Sequence, residues 1–416
     1  MALCGSPVFR MEFMARKSKL RTILTGRWIR WFVFRALSQA FPSFGRLFTF
    51  PTRRIAARHV ASPVFEHREQ AMLFDLPDNL YQSVVMPSRF SDAGETRRYA
   101  ERETIDCRFC GVITDCDINT SDMRLIHRPT FKIVDFWDAD VPASLIKPSR
   151  LKSLPADPTK LYVCLGSTSN YYHYLMDYVL PLVSALRRFA DAIGPLTALL
   201  RRDAPRFAHE ILAALAEDFP SLSIELIDPG HKLENARALY TVRFAHAREW
   251  VPFEVEDVEI LRHALQARYR LPAPSPERDV YVSRRGARLR RLTTENELIG
   301  ELTNHGFDIF TPSAENHAEQ VKAFSSARRI VAVHGAALTN LLFAPAGAEV
   351  VELFARDHIK SPYIWIAHRL GLRYRPVFGS DSDLWQGFSL PLQQVIAALE
   401  DLKEVNLGDE IKVFGA

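Results

Sequence analysis

The sequence predicts an α/β protein of two domains, each a parallel sheet with helices on both faces. Three observations predict this. Strand and helix patterns alternate regularly from residue 159 onward, a proline-rich break follows at Leu271–Glu277, and a second, clearer round of alternation comes after it. At 416 residues, with 47% hydrophobic and 25% charged side chains, the chain is long enough for both halves to bury a core.

In the first half, Leu161–Leu165 reads as a strand, and Asn170 reads as the cap of a helix running to Phe189. A strand at Thr197–Leu200, a helix at Arg206–Asp218, a strand at Ser223–Ile227 and a helix at Pro252–Tyr269 follow. The stretch 70–155 reads as short strands and loops, with Pro77, Pro87, Pro129, Pro142, Pro148 and Pro155 scattered through it.

In the second half, Asp279–Arg284 reads as a strand. Thr294-x-x-Glu297 reads as a capping box, and the helix it opens ends at Gly306. A strand at Asp308–Thr311 precedes a second cap-like pair, Asn316-x-x-Glu319, and a helix to Ala327. Arg329–Val333 is apolar after its first residue, as a central parallel strand must be. A short helix stops near Pro345, and a strand at Glu349–Phe354, a helix at Pro362–Leu370 and a terminal helix at Leu390–Lys403 complete the pattern. The expected division is a basic arm (1–65), a first α/β domain (66–271), a second (278–385), and a helix with a tail (386–416). Two such domains facing each other leave a cleft along the C-terminal ends of their strands, where ligands of open α/β sheets bind.

The arm carries twelve Lys/Arg and one acidic residue, Glu12, between Arg10 and Arg58, so the remainder is slightly acidic. Trp28, Trp31, Phe32, Phe34 and Phe41 interleave with Arg27, Arg30 and Arg35. On a helix this pattern sets aromatics against lipid and arginines toward anionic headgroups, which predicts contact of residues 10–58 with a membrane surface. A helix docked on its own protein, or a misassigned start, fits the same residues. No run of about 20 apolar residues exists, so no transmembrane helix is expected. Trp28–Leu37 is too arginine-rich for a signal peptide. The expected location is cytoplasmic, with peripheral attachment to the inner face of the membrane. A net charge of +4 on this length does not suggest a nucleic-acid partner.

Five cysteines, an odd count, do not make a disulfide framework. Cys107-x-x-Cys110 with Cys116 supplies three of the four ligands zinc needs, but the sequence shows no clear fourth, His127 or Cys164 being the candidates. Reduced, partly buried thiols are the expectation. Asp115-x-Asp117, Asp138-x-Asp140 and Asp381-x-Asp383 match a string that grips a diphosphate-bound cation in some transferases, but pairs this short arise by chance. No metal and no cofactor are expected.

The strongest chemical signal is Val331-Ala-Val-His-Gly-Ala-Ala-Leu-Thr-Asn-Leu-Leu342. A buried strand ends at His334, and Gly335, Ala336 and Ala337 then open a helix. Gly335 permits a tight turn, and the alanines let a ligand approach the backbone. Free N–H groups and the positive dipole end suit a diphosphate, with His334 as an added donor. A close helix–strand crossing with a satisfied histidine fits the same string. Arg284 and Arg285 end the strand Tyr281-Val-Ser-Arg-Arg-Gly286, and arginine grips phosphate in a fork. Arg288, Arg290 and Arg291 read as a solvated loop. Glu352, closing Val350-Val-Glu-Leu353, stands where a carboxylate accepts from ribose hydroxyls, and a plain edge charge fits the same position. In Asn170-Tyr-Tyr-His-Tyr-Leu-Met-Asp-Tyr178, His173 and Asp177 are four apart and share a helix face. Such a pair orients a base for an acceptor hydroxyl, and it also fits a surface ion pair or rings packed in a core.

Taken together, these residues resemble glycosyltransferase family 61. The likeness rests on Asn170-Tyr-Tyr-His173 with Asp177 and Pro181, Ser283-Arg284, Phe324-Ser-Ser-Ala327, His334-Gly-Ala-Ala-Leu-Thr-Asn340, Phe343-Ala-Pro345 and Glu352. It covers roughly residues 160–375. Ala337 stands where the family has a second glycine, and Tyr174 where it has tryptophan. The resemblance implies two Rossmann-like domains of the GT-B type and inverting transfer from a UDP-sugar to a glycan or polysaccharide hydroxyl. In bacteria such proteins are associated with surface or capsular polysaccharide. It implies donor binding by Ser283, Arg284, His334, Gly335, Ala336, Ala337, Asn340 and Glu352, and a base at His173 or Asp177. A catalytically inactive, membrane-associated, nucleotide-binding scaffold of a polysaccharide assembly complex is the alternative, and the intact His173, Asp177, Arg284 and His334 count against it. A dinucleotide-dependent oxidoreductase is disfavoured because no Gly-x-Gly-x-x-Gly follows an early strand.

Overall fold

The computed structural model describes residues 72–73, 109–128, 132–134, 151–166, 168–241, 253–287, 289–358, 362–383 and 387–404. The basic arm, Cys107 and Asp138-x-Asp140 lie outside these residues.

The first sheet is mixed, not wholly parallel as expected. Its strands are β1 (Met72–Leu73), β2 (Phe109–Asn119), β3 (Arg124–His127), β4 (Lys132–Val134), β5 (Lys152–Pro155), β6 (Leu161–Leu165), β7 (Leu196–Arg201), β8 (Leu222–Ile227) and β9 (His231–Thr241). The order is β4-β3-β2-β9-β6-β7-β8, with β1 on β2 and β5 on β9. From β9 through β8 neighbours run parallel, whereas β4, β3, β2 and β9 pair antiparallel. Strand β9 escaped the sequence reading for a local reason. Asn235 has a positive φ of 59°, and the buried positions run Leu233, Ala236 and then every residue from Ala238 to Thr241, so the period of two is broken in mid-strand.

The second sheet is parallel throughout. Strands β10 (Arg278–Val282), β11 (Asp308–Phe310), β12 (Ala327–Val333), β13 (Glu349–Phe354) and β14 (Arg373–Phe378) lie in the order β11-β10-β12-β13-β14. Counted within this sheet the order is 2-1-3-4-5, so the chain reverses its winding between β10 and β12. The crevice beyond the C-terminal ends of those two strands is the place such a sheet offers to a ligand. Strand β14 also escaped the reading, because Arg373, Arg375 and Pro376 give an edge strand no apolar run.

Eight α-helices are described: α1 (Tyr171–Tyr174), α2 (Leu180–Ile193), α3 (Arg206–Asp218), α4 (Val255–Tyr269), α5 (Glu295–Asn304), α6 (His317–Ser325), α7 (Pro362–Arg369) and α8 (Leu392–Glu404). Between α1 and α2 the same rod passes through one π-helical stretch, Leu175–Val179. The two predicted capping boxes do not form. The Thr294 hydroxyl donates to Leu390 O (3.3 Å), and Asn316 Oδ1 accepts from the Ser313 N–H (2.8 Å). Helix α8 packs on the second sheet, where Val395, Ala398, Leu399 and Leu402 join a core with Val331, Val351 and Leu353. Residues 278–404 therefore form one unit, and the helix is not a separate appendage.

Each half has a core of its own, and a further core joins the two. One continuous core runs from Leu161, Val183 and Leu212 through Leu261 and Leu265 to Leu338, Leu341 and Ile366. Polar ties cross the same seam: Arg262 donates to Leu342 O and Ala344 O, and Arg369 to Phe253 O. At its centre, Tyr171 donates its hydroxyl proton to Asn340 Oδ1 (2.7 Å). The Tyr171 oxygen also lies 2.8 Å from His317 Nε2, and His317 Nδ1 lies 2.7 Å from the Tyr269 hydroxyl, which donates to Glu210 Oε2 (3.0 Å). Burying even one such group without a partner costs about 1–3 kcal/mol, so the seam specifies a single docking of the halves.

Burial pushes the His317 imidazole down to about 4, from an ordinary 6.5. The native state prefers the neutral ring, while the unfolded chain takes up a proton below 6.5. The stability is fully present above that pH and declines as pH falls from 6.5 toward 4, by about 3 kcal/mol at most. Urea unfolding at pH 7.5 and pH 5 is expected to show this loss in the native chain. In a His317→Gln chain the difference should shrink markedly; an unchanged pH response would show that other groups cause it.

Candidate functional site

The C-terminal ends of β10 and β12 bring two of the motifs together. Strand β10 runs out into Ser283 and Arg284, and β12 into His334 and Gly335. The turn after β10 is held by a residue the sequence reading missed. Glu295, buried at the start of α5, accepts through one oxygen from the Tyr281 hydroxyl (3.1 Å), the Ser283 hydroxyl (2.8 Å) and the Arg284 N–H (2.9 Å). Its signal was hidden by the apparent capping box one residue before it. Ser283 is thereby committed to the fold and offers its hydroxyl to Glu295 instead of to a ligand.

Arg284 lies directly on Gly335. A Cβ at 335 would overlap its Nη1 and stand 2.8 Å from its central carbon. The backbone there is extended, with φ 173°, so glycine is required for space, not for a special turn. The segment it opens, Ala336–Phe343, is a 3₁₀-helix in place of the expected α-helix, with Leu338 N–H bonded to Gly335 O (2.9 Å). Arg284 donates to Leu289 O (3.1 Å), while its Nε is buried without a partner. Among the described residues no carboxylate stands within ion-pair distance of it. Burial, and then the like charge of Arg290, push its guanidinium down to about 10. Arg290, read from sequence as part of a solvated loop, is half-buried and held in a left-handed conformation (φ 58°). A guanidinium depressed by burial and by a neighbouring like charge, with no carboxylate of the described residues at ion-pair distance, makes a seat for an anion. Nearby, a recess of about 420 Å³ is lined by Arg285, Arg291, Leu292, Thr293, Glu295, Asn296, Asp383 and Gly387.

His334 is buried and fixed on several sides. Its Nδ1 is 2.5 Å from Glu352 Oε1, and its ring stacks on Phe354 at 5.0 Å and meets Tyr363 at 5.3 Å. Glu352 and Asn340 do not present the atoms expected of them. Glu352 is wholly buried behind His334 and accepts from the Tyr374 hydroxyl, so it offers nothing to a ribose. Asn340 is wholly buried too, with its amide bonded to Tyr171, Gln320 and Ala337 O.

On the other half, Asn170 Oδ1 accepts from the His173 N–H (3.4 Å) and starts α1. His173 Nδ1 lies 2.9 Å from Asp177 Oδ2, as the four-residue spacing predicted. Asp177 sits inside the π-helical stretch and is 1% exposed, whereas the His173 side chain is 31% exposed. Such one-turn π segments often mark functional sites, since they re-aim a side chain that a regular helix would turn elsewhere. A line of ring contacts joins this pair to the anion seat: His173 to Tyr172 at 5.4 Å, Tyr172 to Tyr363 at 5.7 Å, and Tyr363 to His334.

The Asp-x-Asp strings serve local structure where they are described. Asp117 accepts from the Asn235 N–H at the β9 bulge (3.1 Å), and Asp383 from the Gly387 N–H (2.8 Å). The Cys116 thiol is buried against Ala236 O (3.2 Å). Among the described residues no three His, Cys, Asp or Glu side chains converge on one point.

Residues 171–351 match the family described as Glycosyltransferase 61. The matched span begins at α1 and ends one residue before Glu352, so it contains both halves of the site. The chain is also similar to the beta-1,2-xylosyltransferase XYXT1 of Oryza sativa subsp. japonica, 26% identical over 217 residues, which are 47% of this chain and 44% of the relative. It is similar to the EGF domain-specific O-linked N-acetylglucosamine transferase of Drosophila melanogaster, 33% identical over 120 residues, 28% of this chain and 22% of the relative. The chain thus spans less than half the length of either. The solved E. coli heptosyltransferase WaaC with ADP aligns with 59% of this chain and 100% of its own, at 11% identity and a TM-score of 0.31.

The contact between Gly335 and Arg284 is testable without knowing the ligand. Gly335→Ala must displace the guanidinium, and binding of inorganic pyrophosphate is expected to weaken about tenfold, the loss of one charged hydrogen bond. Arg284→Ala should do the same, and the double variant should bind no worse than either single one, because both remove the same contact. Additive losses by calorimetry would mean that Gly335 acts independently of Arg284.

Proposed function

We propose that this protein is an inverting glycosyltransferase that moves a sugar from a UDP-sugar to a hydroxyl of a glycan or polysaccharide acceptor, without a metal ion. The observation that carries the reading is the Arg284 guanidinium, lying on Gly335 beside His334 at the winding reversal of a parallel sheet, with no carboxylate of the described residues at ion-pair distance. The likeness of residues 171–351 to glycosyltransferases supports the same reading.

In this mechanism the donor diphosphate occupies the seat between Arg284, Arg290 and His334, and the nucleoside extends toward the recess lined by Arg285 and Asn296. As the sugar–phosphate bond breaks, charge grows on the departing oxygen. Fixed cations and N–H donors in a water-poor site offset that charge with little reorganisation, which is the role a divalent ion plays elsewhere. The acceptor hydroxyl attacks from the opposite face of the sugar and loses its proton toward the His173–Asp177 pair. The Asp177 carboxylate is 1% exposed and the His173 side chain 31%, so the ring is the member of the pair that an acceptor hydroxyl can reach. Asp177 fixes the tautomer through Nδ1 and leaves Nε2 to take the proton. The aromatic, basic stretch 10–58 supports a further part of the proposal, attachment to an anionic membrane surface on the cytoplasmic side.

Two outcomes test this. Arg284→Ala is expected to weaken UDP binding in excess chelator by about 1.5–3 kcal/mol, the range for a charged hydrogen bond. UDP affinity equal to that of the native chain would remove the phosphate assignment, and affinity that appears only with added manganese would remove the metal-free mechanism. His173→Ala and Asp177→Asn are expected to keep UDP affinity while turnover falls about 10²–10⁴-fold, the usual effect of losing a general base. Near-native turnover in both would make this helix structural.

A further inference from the structure

Behind the proposed phosphate seat lies an acid that the reaction above does not use. Glu352 is fully buried, near the end of β13, with β12 and β14 on either side. A lone carboxylate there would bear the whole cost of desolvation. Both its oxygens are engaged: Oε2 accepts from the Tyr374 hydroxyl, and Oε1 faces His334 Nδ1 at 2.5 Å. Among the described residues His334 is its only ion-pair partner. Burial holds its carboxyl well above the ordinary range, with Tyr374 and Arg290 opposing that effect. The imidazole has little freedom to turn away, because it is stacked on Phe354 and flanked by Tyr363 and His358.

Counting protons decides what the pair does. Tyr374 gives its one hydroxyl proton to Oε2. The short contact between Oε1 and Nδ1 then holds one proton, on the oxygen or on the nitrogen. If Nε2 also carries a proton, the pair is neutral overall, as carboxylic acid with imidazole or as carboxylate with imidazolium. If Nε2 lacks one, the pair is a buried net negative charge beside a bound diphosphate, which both burial and like-charge repulsion oppose. The titratable and charged groups facing the pair are Tyr374 from β14, Tyr363 from α7, His358 after β13, and Arg284 and Arg290 from the turn after β10.

We propose that Glu352 is a positioning residue for sugar transfer: through Nδ1 it keeps a proton on Nε2 of His334, directed to the leaving diphosphate, and it hands its own proton to Nδ1 as negative charge builds there. This rests on the glycosyltransferase reading. The step balances within the pair. The O–H bond of Glu352 breaks and an N–H bond forms at Nδ1, turning a neutral acid–imidazole pair into carboxylate and imidazolium. The proton returns when UDP departs. No atom leaves and no further reactant is needed.

Two variants and one spectroscopic measurement test the proposal. In Glu352→Gln, Tyr374 donates to the amide oxygen and the amide NH₂ donates to Nδ1. Nε2–H is therefore kept, but there is no proton to hand over. UDP affinity is expected to stay within about twofold, with turnover down about 10²-fold, the scale of losing one preorganised charge-stabilising group. In Glu352→Leu, Nδ1 loses its partner, and UDP affinity should fall along with turnover. Native turnover in Glu352→Gln, or the same losses in both variants, would overturn the proposal. The measurement independent of activity is the ¹⁵N spectrum of labelled histidine in the full chain, with His334 assigned by its loss in His334→Asn. A proton resident on Nε2 across pH 6–8 is expected, and an Nε2 without a proton in that range overturns the assignment. If the native chain transfers no sugar while the spectrum shows Nε2–H, the transferase reading fails and the Glu352–His334 tautomer stands.

Discussion

Tyr171 has one hydroxyl proton, and it goes to Asn340 across the seam between the two sheets. That bond, with His317 and Tyr269 behind it, fixes how the halves meet. A buried hydroxyl, amide and imidazole have few ways to satisfy one another, and a shift of an ångström would leave at least one of them without a partner. Tyr171 begins the same helix that carries His173 and Asp177, and Asn340 lies in the 3₁₀ segment that His334 and Gly335 introduce. The seam therefore sets the distance between the proposed base and the proposed phosphate seat. A continuous apolar core around it makes that distance a property of packing, not of hinge motion.

The anion seat shows a second constraint, the close approach of two strand ends. Neighbouring parallel strands end with a long cationic side chain on one and a glycine on the next, so the guanidinium occupies the space a Cβ would fill. Glu295 makes this possible from below, with one carboxylate oxygen holding three donors of the turn. A carboxylate placed against Arg284 itself would stabilise the free protein but cancel the charge a phosphate needs. The arrangement keeps the acid on the backbone and hydroxyls and leaves the guanidinium to act at the surface of the crevice. The depressed guanidinium is the electrostatic trace of that choice.

Much of the second sheet was legible in sequence because parallel strands buried on both faces read as unbroken apolar runs, as in Ile330–Val333 and Val350-Val-Glu-Leu-Phe354. The edges were not. Strand β14 carries arginines and a proline, and β9 has its alternation reset by Asn235. In the site, the pairing of His173 with Asp177 followed from helical spacing, since residues four apart share a face whatever the rest of the chain does. Ser283, Asn340 and Glu352 were noticed as polar residues at strand and helix ends, but sequence carries no sign of which side such a group faces. All three turned inward, and each bonds to a partner distant in the chain or in the next element.

The sequence by itself determined the α/β class, the parallel second sheet, the strand-to-helix turn at His334-Gly335 and the basic composition of the first sixty residues, because each depends on local pattern or composition alone. Only the tertiary structure decided that the halves share a core, that Arg284 lies on Gly335, that Arg290 returns to the site, and that Glu352 stands behind His334. The docking of the halves, the Arg284–Gly335 contact and the Glu352–His334 pair depend on contacts between residues 18 to 169 positions apart, where the hydrogen-bond capacity and volume of both partners act together and neither alone gives a signal.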